Sequence, residues 1–243
     1  MKYQYKSRRK RAKKMKHTKI LFAVLALFFY ASTASAYDPL GLNIPNGTVT
    51  LSVAGMATDT AMMYINLENV PEGYAISNGQ YLGWGVNPEK PLYYPNYFYY
   101  NTRLYSSYDT ELPAAAQSVN WKKINYLISS YRKGELSGAC YGLPVRDDEV
   151  QTLMWKYLGY DRKWGSASTN CLGSLETIVD ANGADYMPVS GDSVGVICDN
   201  GVDWMVVFIE VPYTATAPEI AGLALAVALI SPAFGYLLVK KRK

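Results

Sequence analysis

The sequence is almost without histidine, because His17 is the only one among 243 residues. His17 lies in a basic N-terminal segment that we expect to be removed, which would leave the mature chain with no imidazole. Catalysis by a Ser-His-Asp or Cys-His arrangement is then excluded, as is a zinc or iron site built on histidine. We therefore predict no metal and no cofactor, and we do not expect an enzyme.

Positive charge is scarce between the two ends of the chain. Of the 24 Lys and Arg residues, ten lie in residues 1–19 and four in residues 240–243, so only ten face the 20 Asp and Glu residues of the intervening segment. That segment has a net charge of −10. Nucleic-acid binding needs Lys and Arg on the folded surface, so nucleic acid is excluded as a partner.

Residues 1–36 are typical of a signal peptide. A basic stretch through Lys19 precedes an apolar run, and Ala34-Ser35-Ala36 supplies the small residues of a cleavage site. The apolar run is about half the length of a membrane crossing, which favours removal over anchoring. Both Met1 and Met15 leave enough basic residues, so the start of translation stays open.

Residues 217–243 form a three-part C-terminal segment. Pro218 and Glu219 precede 20 uncharged residues, and the chain ends in four basic residues. The uncharged run has the length of a transmembrane helix, and the basic cluster would stay cytoplasmic. The layout resembles the PEP-CTERM and PEF-CTERM sorting signals. That resemblance implies processing near Pro218-Glu219 by an exosortase-like or archaeosortase-like enzyme; a plain single-pass anchor is the alternative.

The segment between these ends, residues 37–215, is long enough for one exported domain. Alternation of apolar residues predicts strands over 47–55, 61–67 and 80–87, and again over 193–198 and 203–211. Apolar stripes predict helices over 118–133 and from Asp147 to Gly159. The order of strands, helices and strands indicates an α+β fold. We expect an antiparallel β-barrel or sandwich with a helical insertion over about 112–160.

Three cysteines allow at most one internal disulfide in an oxidising exterior. We predict a Cys171–Cys198 bridge, because it would tie the segment after the second helix to a late strand. Asn46, in the triplet Asn-Gly-Thr, is a candidate glycosylation site that precedes the first strand.

Two short segments resemble the thioester domains of bacterial and archaeal surface adhesins. One is Tyr81-Leu82-Gly83-Trp84-Gly85 and the other is the helix start at Asp147, which contains Gln151 and Trp155. In that family a strand Cys and a helix Gln condense into a thioester that captures amines. The resemblance implies a β-barrel with a helical insertion. Gly85 occupies the position of the family's Cys, so we interpret Gly85, Gln151 and Trp155 as the remnant of a thioester site.

Two other interpretations of this helix remain open. Cys140 could supply the missing sulfur and form an unconventional thioester with Gln151. Alternatively, Gln151 and Trp155 are ordinary neighbours at i and i+4 in a helix core.

Carboxylates raise a third possibility, a hydrolase of envelope glycans, which would need two carboxyl groups on either side of a sugar.

A tyrosine-rich run follows the third predicted strand. Tyr offers a flat apolar ring and a hydroxyl group at low entropic cost, which suits contact with sugars or proteins. We choose Tyr94, Tyr97, Tyr99 and Tyr100 as binding residues; a long loop held to the body by its own rings is the alternative. A second run, containing Asp180, Asn182, Asp185 and Asp192, suggests calcium, but its spacing favours a solvated turn.

These observations predict a membrane-anchored protein on the cell surface. Its exported domain would act by noncovalent binding or adhesion, or as a structural part of the envelope. The partner is a surface glycan or a protein.

Overall fold

The fold was analysed in a computed structural model, which describes residues 39–56, 61–90, 92, 95, 97–201 and 207–214. The described strands are β1 (Thr48–Met56), β2 (Met62–Glu68), β3 (Gly79–Gly85), β4 (Phe98–Ser106), β5 (Ser193–Asp199) and β6 (Val207–Pro212). The described helices are α1 (Trp121–Arg132), α2 (Asp147–Tyr157) and α3 (Thr169–Asn182), preceded by a 3-10 turn at Ala114–Ala116.

The six strands form a closed antiparallel barrel. Their order around the barrel is β1, β2, β3, β6, β5 and β4, and β4 pairs back with β1. The three helices lie in the connection from β4 to β5. The predicted α+β class with an antiparallel barrel and inserted helices is therefore confirmed. The insertion continues past residue 160, because α3 follows the two predicted helices.

Alternation along the strands fills the barrel interior. In β1, for example, Val49, Leu51 and Val53 are at most 2% exposed, and their side chains belong to one apolar cluster. The residues between them point to the outer face. The interior cluster also includes Met63, Ile65, Leu67, Tyr99, Leu104, Val196, Cys198, Val207, Ile209 and Val211.

A second core lies between the helices and one side of the barrel. Trp84 of β3 and Phe208 of β6 are fully buried there, and the Phe208 ring stacks on Trp121 of α1 with ring centres 5.6 Å apart. We call the outer faces of β3, β6 and β5 the covered wall. The helical residues of this core include Ile124, Leu127, Ile128, Val150, Leu153, Met154, Leu175 and Val179.

The helix layer requires a glycine on the covered wall. The Phe208 ring lies across Gly195 of β5, where an added Cβ would come 1.6 Å from the ring. The Gly195 N–H donates to the side-chain oxygen of Asn125 (2.7 Å), which is fully buried in α1. Gly195 thus lets the ring and the helix approach the sheet together.

The opposite side of the barrel is not packed against these helices. We call the outer faces of β4, β1 and β2 the open wall. Phe98 and Tyr100 of β4 lie there with 40% and 64% exposure. The remaining outward residues considered below are Thr50, Ser52, Asn66, Glu68, Asn101 and Arg103.

Two sequence predictions missed structure in this part of the chain. A long loop was the alternative interpretation of the tyrosine-rich run, but the second half of that run begins strand β4. Asp180 and Asn182 were placed in a solvated turn, but both lie in helix α3. In β4 a bulge interrupts the alternation, and in α3 only Cys171, Leu175 and Val179 are buried, so neither pattern is strong.

The N-terminal and C-terminal predictions fall outside the described residues, and so do Pro218, Glu219 and Tyr94. Within the described ranges, none of the helices combines the length and the hydropathy that a bilayer crossing needs.

Candidate functional site

Gly85 and Gln151, distant in sequence, bind each other directly at the end of β3. The Gln151 side-chain N–H2 donates to the Gly85 carbonyl (2.8 Å), and the Gly85 N–H donates to the Gln151 side-chain oxygen (3.2 Å). The Trp155 indole N–H donates to the same carbonyl (2.7 Å). The three residues assigned to the remnant site therefore form one hydrogen-bonded group.

Helix α2 positions Gln151 and Trp155 on its buried side. The helix begins with a capping box, in which the Glu149 carboxylate accepts from the Arg146 N–H (2.9 Å). Gln151 is only 1% exposed and Trp155 5%. One turn separates them, so both reach the same strand end.

The backbone leaves room for a side chain at Gly85. A Cβ built there would lie 4.0 Å from the Gln151 side-chain oxygen and 3.5 Å from the Met63 methyl group, both ordinary contact distances. A cavity of about 370 Å³ adjoins this point. Its lining includes Met56, Met63, Leu92, Gln151, Trp155 and Trp164.

The group of Gly85, Gln151 and Trp155 lacks the thiol that a thioester needs. Cys140 forms a disulfide with Cys171, so its sulfur is not available to Gln151. The proposed Cys140–Gln151 thioester is therefore wrong for this state of the protein. The disulfide instead joins the loop before α2 to the first turn of α3.

The predicted Cys171–Cys198 bridge is also wrong. Cys198 is a free, fully buried residue of β5 whose side chain points into the barrel interior. Cys171 lies in the helix layer, on the other side of the sheet. Burial raises the pKa of the Cys198 thiol far above its ordinary value, which keeps it protonated and unreactive.

A charged network lies beside the remnant site, and no local sequence pattern indicates it. Arg132 of α1 donates from Nε and Nη2 to the two carboxylate oxygens of Glu210 in β6, each at 2.7 Å. The Trp84 indole N–H donates to the same carboxylate (2.6 Å). Glu210 is 8% exposed, so this pairing stabilises its charge away from water.

The three consecutive carboxylates at the start of α2 each have a structural partner. Asp147 accepts from the Tyr131 hydroxyl, Asp148 from the Ser166 N–H (3.1 Å), and Glu149 from Arg146. Burial raises the pKa of Tyr131, and its bond to Asp147 adds to this rise. The bonds from Arg146 and from the Ser168 N–H outweigh the burial of Glu149 and lower its pKa. These contacts support helix capping.

Asp180 and Asp192 of the acidic run have separate partners. Asp180 pairs with Lys123 (2.7 Å), whereas Asp192 pairs with Lys133 and accepts from the Tyr186 hydroxyl (2.5 Å). Within the described residues, no group of three or more Asp, Glu, Cys or His side chains could hold a metal ion.

The tyrosine-rich run divides between the two faces of β4. Tyr99 is 4% exposed and packs in the barrel interior, so it is wrong as a binding residue. Tyr97 and Tyr100 are 47% and 64% exposed. Phe98, which the sequence patterns did not single out, lies near Tyr100 with ring planes 26° apart. Its place on the outer face could have been inferred from the position of Tyr100, two residues along the strand.

Asn46 lies at the exposed surface, in the bend that precedes β1. Its side chain is therefore accessible where the glycosylation triplet was predicted. Comparison with protein-family models, with curated proteins and with solved structures found no match to this chain.

Proposed function

We propose that this chain is an exported, membrane-anchored surface protein that binds its partner noncovalently through the open wall of the barrel. The exposed aromatic pair Phe98 and Tyr100 carries this proposal, because both rings stand on a strand of a closed barrel. A rigid strand holds the rings in place before binding, which lowers the entropic cost of association.

The remnant site supports noncovalent rather than covalent action. Both ends of the Gln151 amide are already bound by the Gly85 backbone, and Cys140 is in a disulfide. No sulfur is then available to activate the amide as a thioester. We interpret the Gly85, Gln151 and Trp155 group as a clamp that holds helix α2 to the end of β3.

Export and anchoring are part of the proposal and rest on the sequence of the two ends. The signal peptide would carry the domain across the membrane, and the segment 217–243 would keep it at the surface, with or without processing at Pro218-Glu219. The disulfide is consistent with an oxidising exterior. Recovery of the full-length chain from the cytosol with its leader attached would contradict this placement.

Adhesion of protein-coated beads to cell envelopes tests the binding surface. We expect beads carrying the wild-type protein to adhere, and beads carrying the double variant Phe98→Ala, Tyr100→Ala to lose adhesion. Tyr141→Asn is the matched control, because Tyr141 is 76% exposed but lies outside the open wall. Its φ of 56° also suits Asn. Equal adhesion of the double variant and the wild type would remove the assignment.

Gly85→Cys tests the resemblance to thioester domains separately. We expect the new thiol to attack the Gln151 amide carbon, so that a C–S bond forms, the C–N bond breaks and ammonia leaves with the thiol proton. Intact mass measurement should show the loss of one ammonia in this variant and none in the wild type. If the variant keeps its full mass, the site does not have the geometry of a thioester precursor.

A further inference from the structure

A β-bulge brings neighbouring residues of β4 to the same face of the sheet. Val49 of β1 lies opposite Thr102, and Leu51 lies opposite Tyr99, so Tyr100 and Asn101 together oppose Thr50. Asn101 has a φ of 55°, which one residue of such a bulge often adopts. Tyr100 and Asn101 are therefore both exposed, although regular alternation would bury one of them.

Strand pairing extends this face sideways into two rows. In the first row, Phe98 lies opposite Ser52, Ser52 opposite Asn66, and Asn66 opposite Gln80. The Gln80 amide N–H2 donates to the Asn66 side-chain oxygen (3.3 Å). This first row therefore leads from β4 through a short hydroxyl side chain to a polar side chain on β2.

The second row contains Tyr100 and Asn101, then Thr50, then Glu68. Thr50 and Ser52 point outward but are only 9% and 8% exposed, because longer side chains stand on either side of them. The middle strand thus forms a recessed strip of hydroxyl groups. Aromatic rings border the strip on β4, and amide and carboxylate groups border it on β2.

We propose that this strip, formed by Phe98, Tyr100, Asn101, Thr50, Ser52, Asn66 and Glu68, binds a linear, uncharged hexopyranose glycan. This inference rests on the proposed function and names its ligand class. A pyranose ring has a face of C–H groups that packs on the electron-rich face of an aromatic ring. Its rim of hydroxyl groups needs donors and acceptors of the kind that Asn66, Glu68 and Asn101 carry.

The size of the strip favours a glycan over a protein or a second copy of this chain. From Phe98 to Asn101 along β4, and from β4 to β2, the strip measures roughly 10 Å by 10 Å. That area is far below the surface of about 800 Å² that each partner buries in a stable protein interface. An oligosaccharide of a few units would cover it.

The charge of the strip favours a neutral ligand. Glu68 gives the strip its one formal charge, which is negative, and Arg103 just beyond the strip lies opposite Asp199 of β5, which balances its charge. The segment between the two basic ends of the chain has a net charge of −10, which disfavours an acidic polysaccharide. Hydroxyl groups without formal charge match both observations.

A panel of neutral hexasaccharides, made of glucose, mannose, galactose or N-acetylglucosamine units, tests the ligand class by titration calorimetry with the purified protein. We expect binding of at least one member. Phe98→Ala and Tyr100→Ala should each weaken that binding about 3- to 10-fold, because each removes one ring contact. Tyr100→Phe should keep most of the affinity, and Tyr141→Asn should keep all of it. Absence of binding to every member at millimolar concentration would overturn the inference.

The adhesion assay separates this inference from the proposed function. The hexasaccharide that binds in calorimetry should compete with the envelopes and abolish adhesion of wild-type beads, whereas protease-treated envelopes should keep that adhesion. The reverse result would mean a protein ligand, which overturns the glycan inference and leaves the open wall as the binding surface. Adhesion that is unchanged when Phe98 and Tyr100 are replaced would contradict the proposed function itself.

Discussion

The covered and open walls belong to one barrel, yet similar side chains have different consequences on each. Phe208 and Glu210 on the covered wall are 0% and 8% exposed, because helix α1 packs against them with Trp121 and Arg132. Phe98 and Glu68 on the open wall are exposed to solvent. An outward aromatic or acidic residue on a barrel strand therefore stabilises the fold where an insertion covers it, and is available for binding where none does.

Substituting the same residue type on each wall tests whether the covered wall contributes more to stability than the open wall. We expect Phe208→Ala to lower the free energy of unfolding by about 3–5 kcal/mol, because it removes a fully buried ring that stacks on Trp121. Phe98→Ala should change it by less than about 1 kcal/mol. Urea denaturation of both variants measures the difference. Similar losses for the two would show that the open wall is packed in solution.

The acidic residues give a second pair with a smaller expected effect. Glu210→Ala leaves the Arg132 guanidinium and the Trp84 N–H without their acceptor. Because Arg132 is 27% exposed and water can reach it in part, we expect a loss of about 2–3 kcal/mol rather than the full cost of a buried charge. Glu68→Ala is the control and should stay within about 0.5 kcal/mol of the wild type. A loss below 1 kcal/mol for Glu210→Ala would mean that the pairing contributes little to stability.

Substitution of two glutamines, one buried at the remnant site and one exposed, compares their contributions to stability. Gln151→Ala removes both hydrogen bonds to Gly85 and should cost about 1–2 kcal/mol, because the Gly85 N–H loses its acceptor while the carbonyl keeps Trp155. Gln80→Ala, on the exposed end of β3, should cost less than about 0.5 kcal/mol. Equal stabilities in thermal and urea denaturation would contradict the clamp.

Sequence patterns were sufficient where one periodic signal dominated. Strand β2 alternates cleanly, β1 alternates from Val49 to Val53, and the wide apolar stripe of α1 predicts its helix. Helix α3 was missed because its buried stripe has only three members and Gly173 lies inside it. Strand β4 was missed because aromatic residues occupy both of its faces from Phe98 to Tyr100, and a bulge then interrupts the alternation at Asn101.

Contacts between distant segments could not be predicted in the same way. Gly85 and Gln151 bind each other across 66 residues, and Arg132 and Glu210 do so across 78. Hydrophobic periodicity is a local signal and indicates neither pair. The disulfide prediction failed because it ignored strand parity, which sends Cys198 inward with Val196.

Lowering the pH should weaken the attachment of the helical insertion, because the Asp192 carboxylate becomes protonated. This is the smallest of the predicted effects. Burial alone would raise the pKa of Asp192, but bonds from Lys133, Tyr186 and the Val189 N–H outweigh it and lower the pKa below its ordinary value of 3.8. The folded state then binds fewer protons than the unfolded state, so this carboxylate stabilises the fold fully above about pH 5. Its contribution is lost as the pH falls through the lowered value.

Urea denaturation from pH 6 to pH 2 measures this dependence. Asp192→Asn should lower stability at pH 6 and flatten the fall in stability below pH 5, because the titrating group is gone. Asp185→Asn, an exposed residue earlier in the same segment, should keep the wild-type acid profile. An unchanged acid profile in Asp192→Asn would show that carboxylates elsewhere, such as Glu149, control the response. The open-wall variant Phe98→Ala should follow the wild type at every pH, since it touches none of these carboxylates.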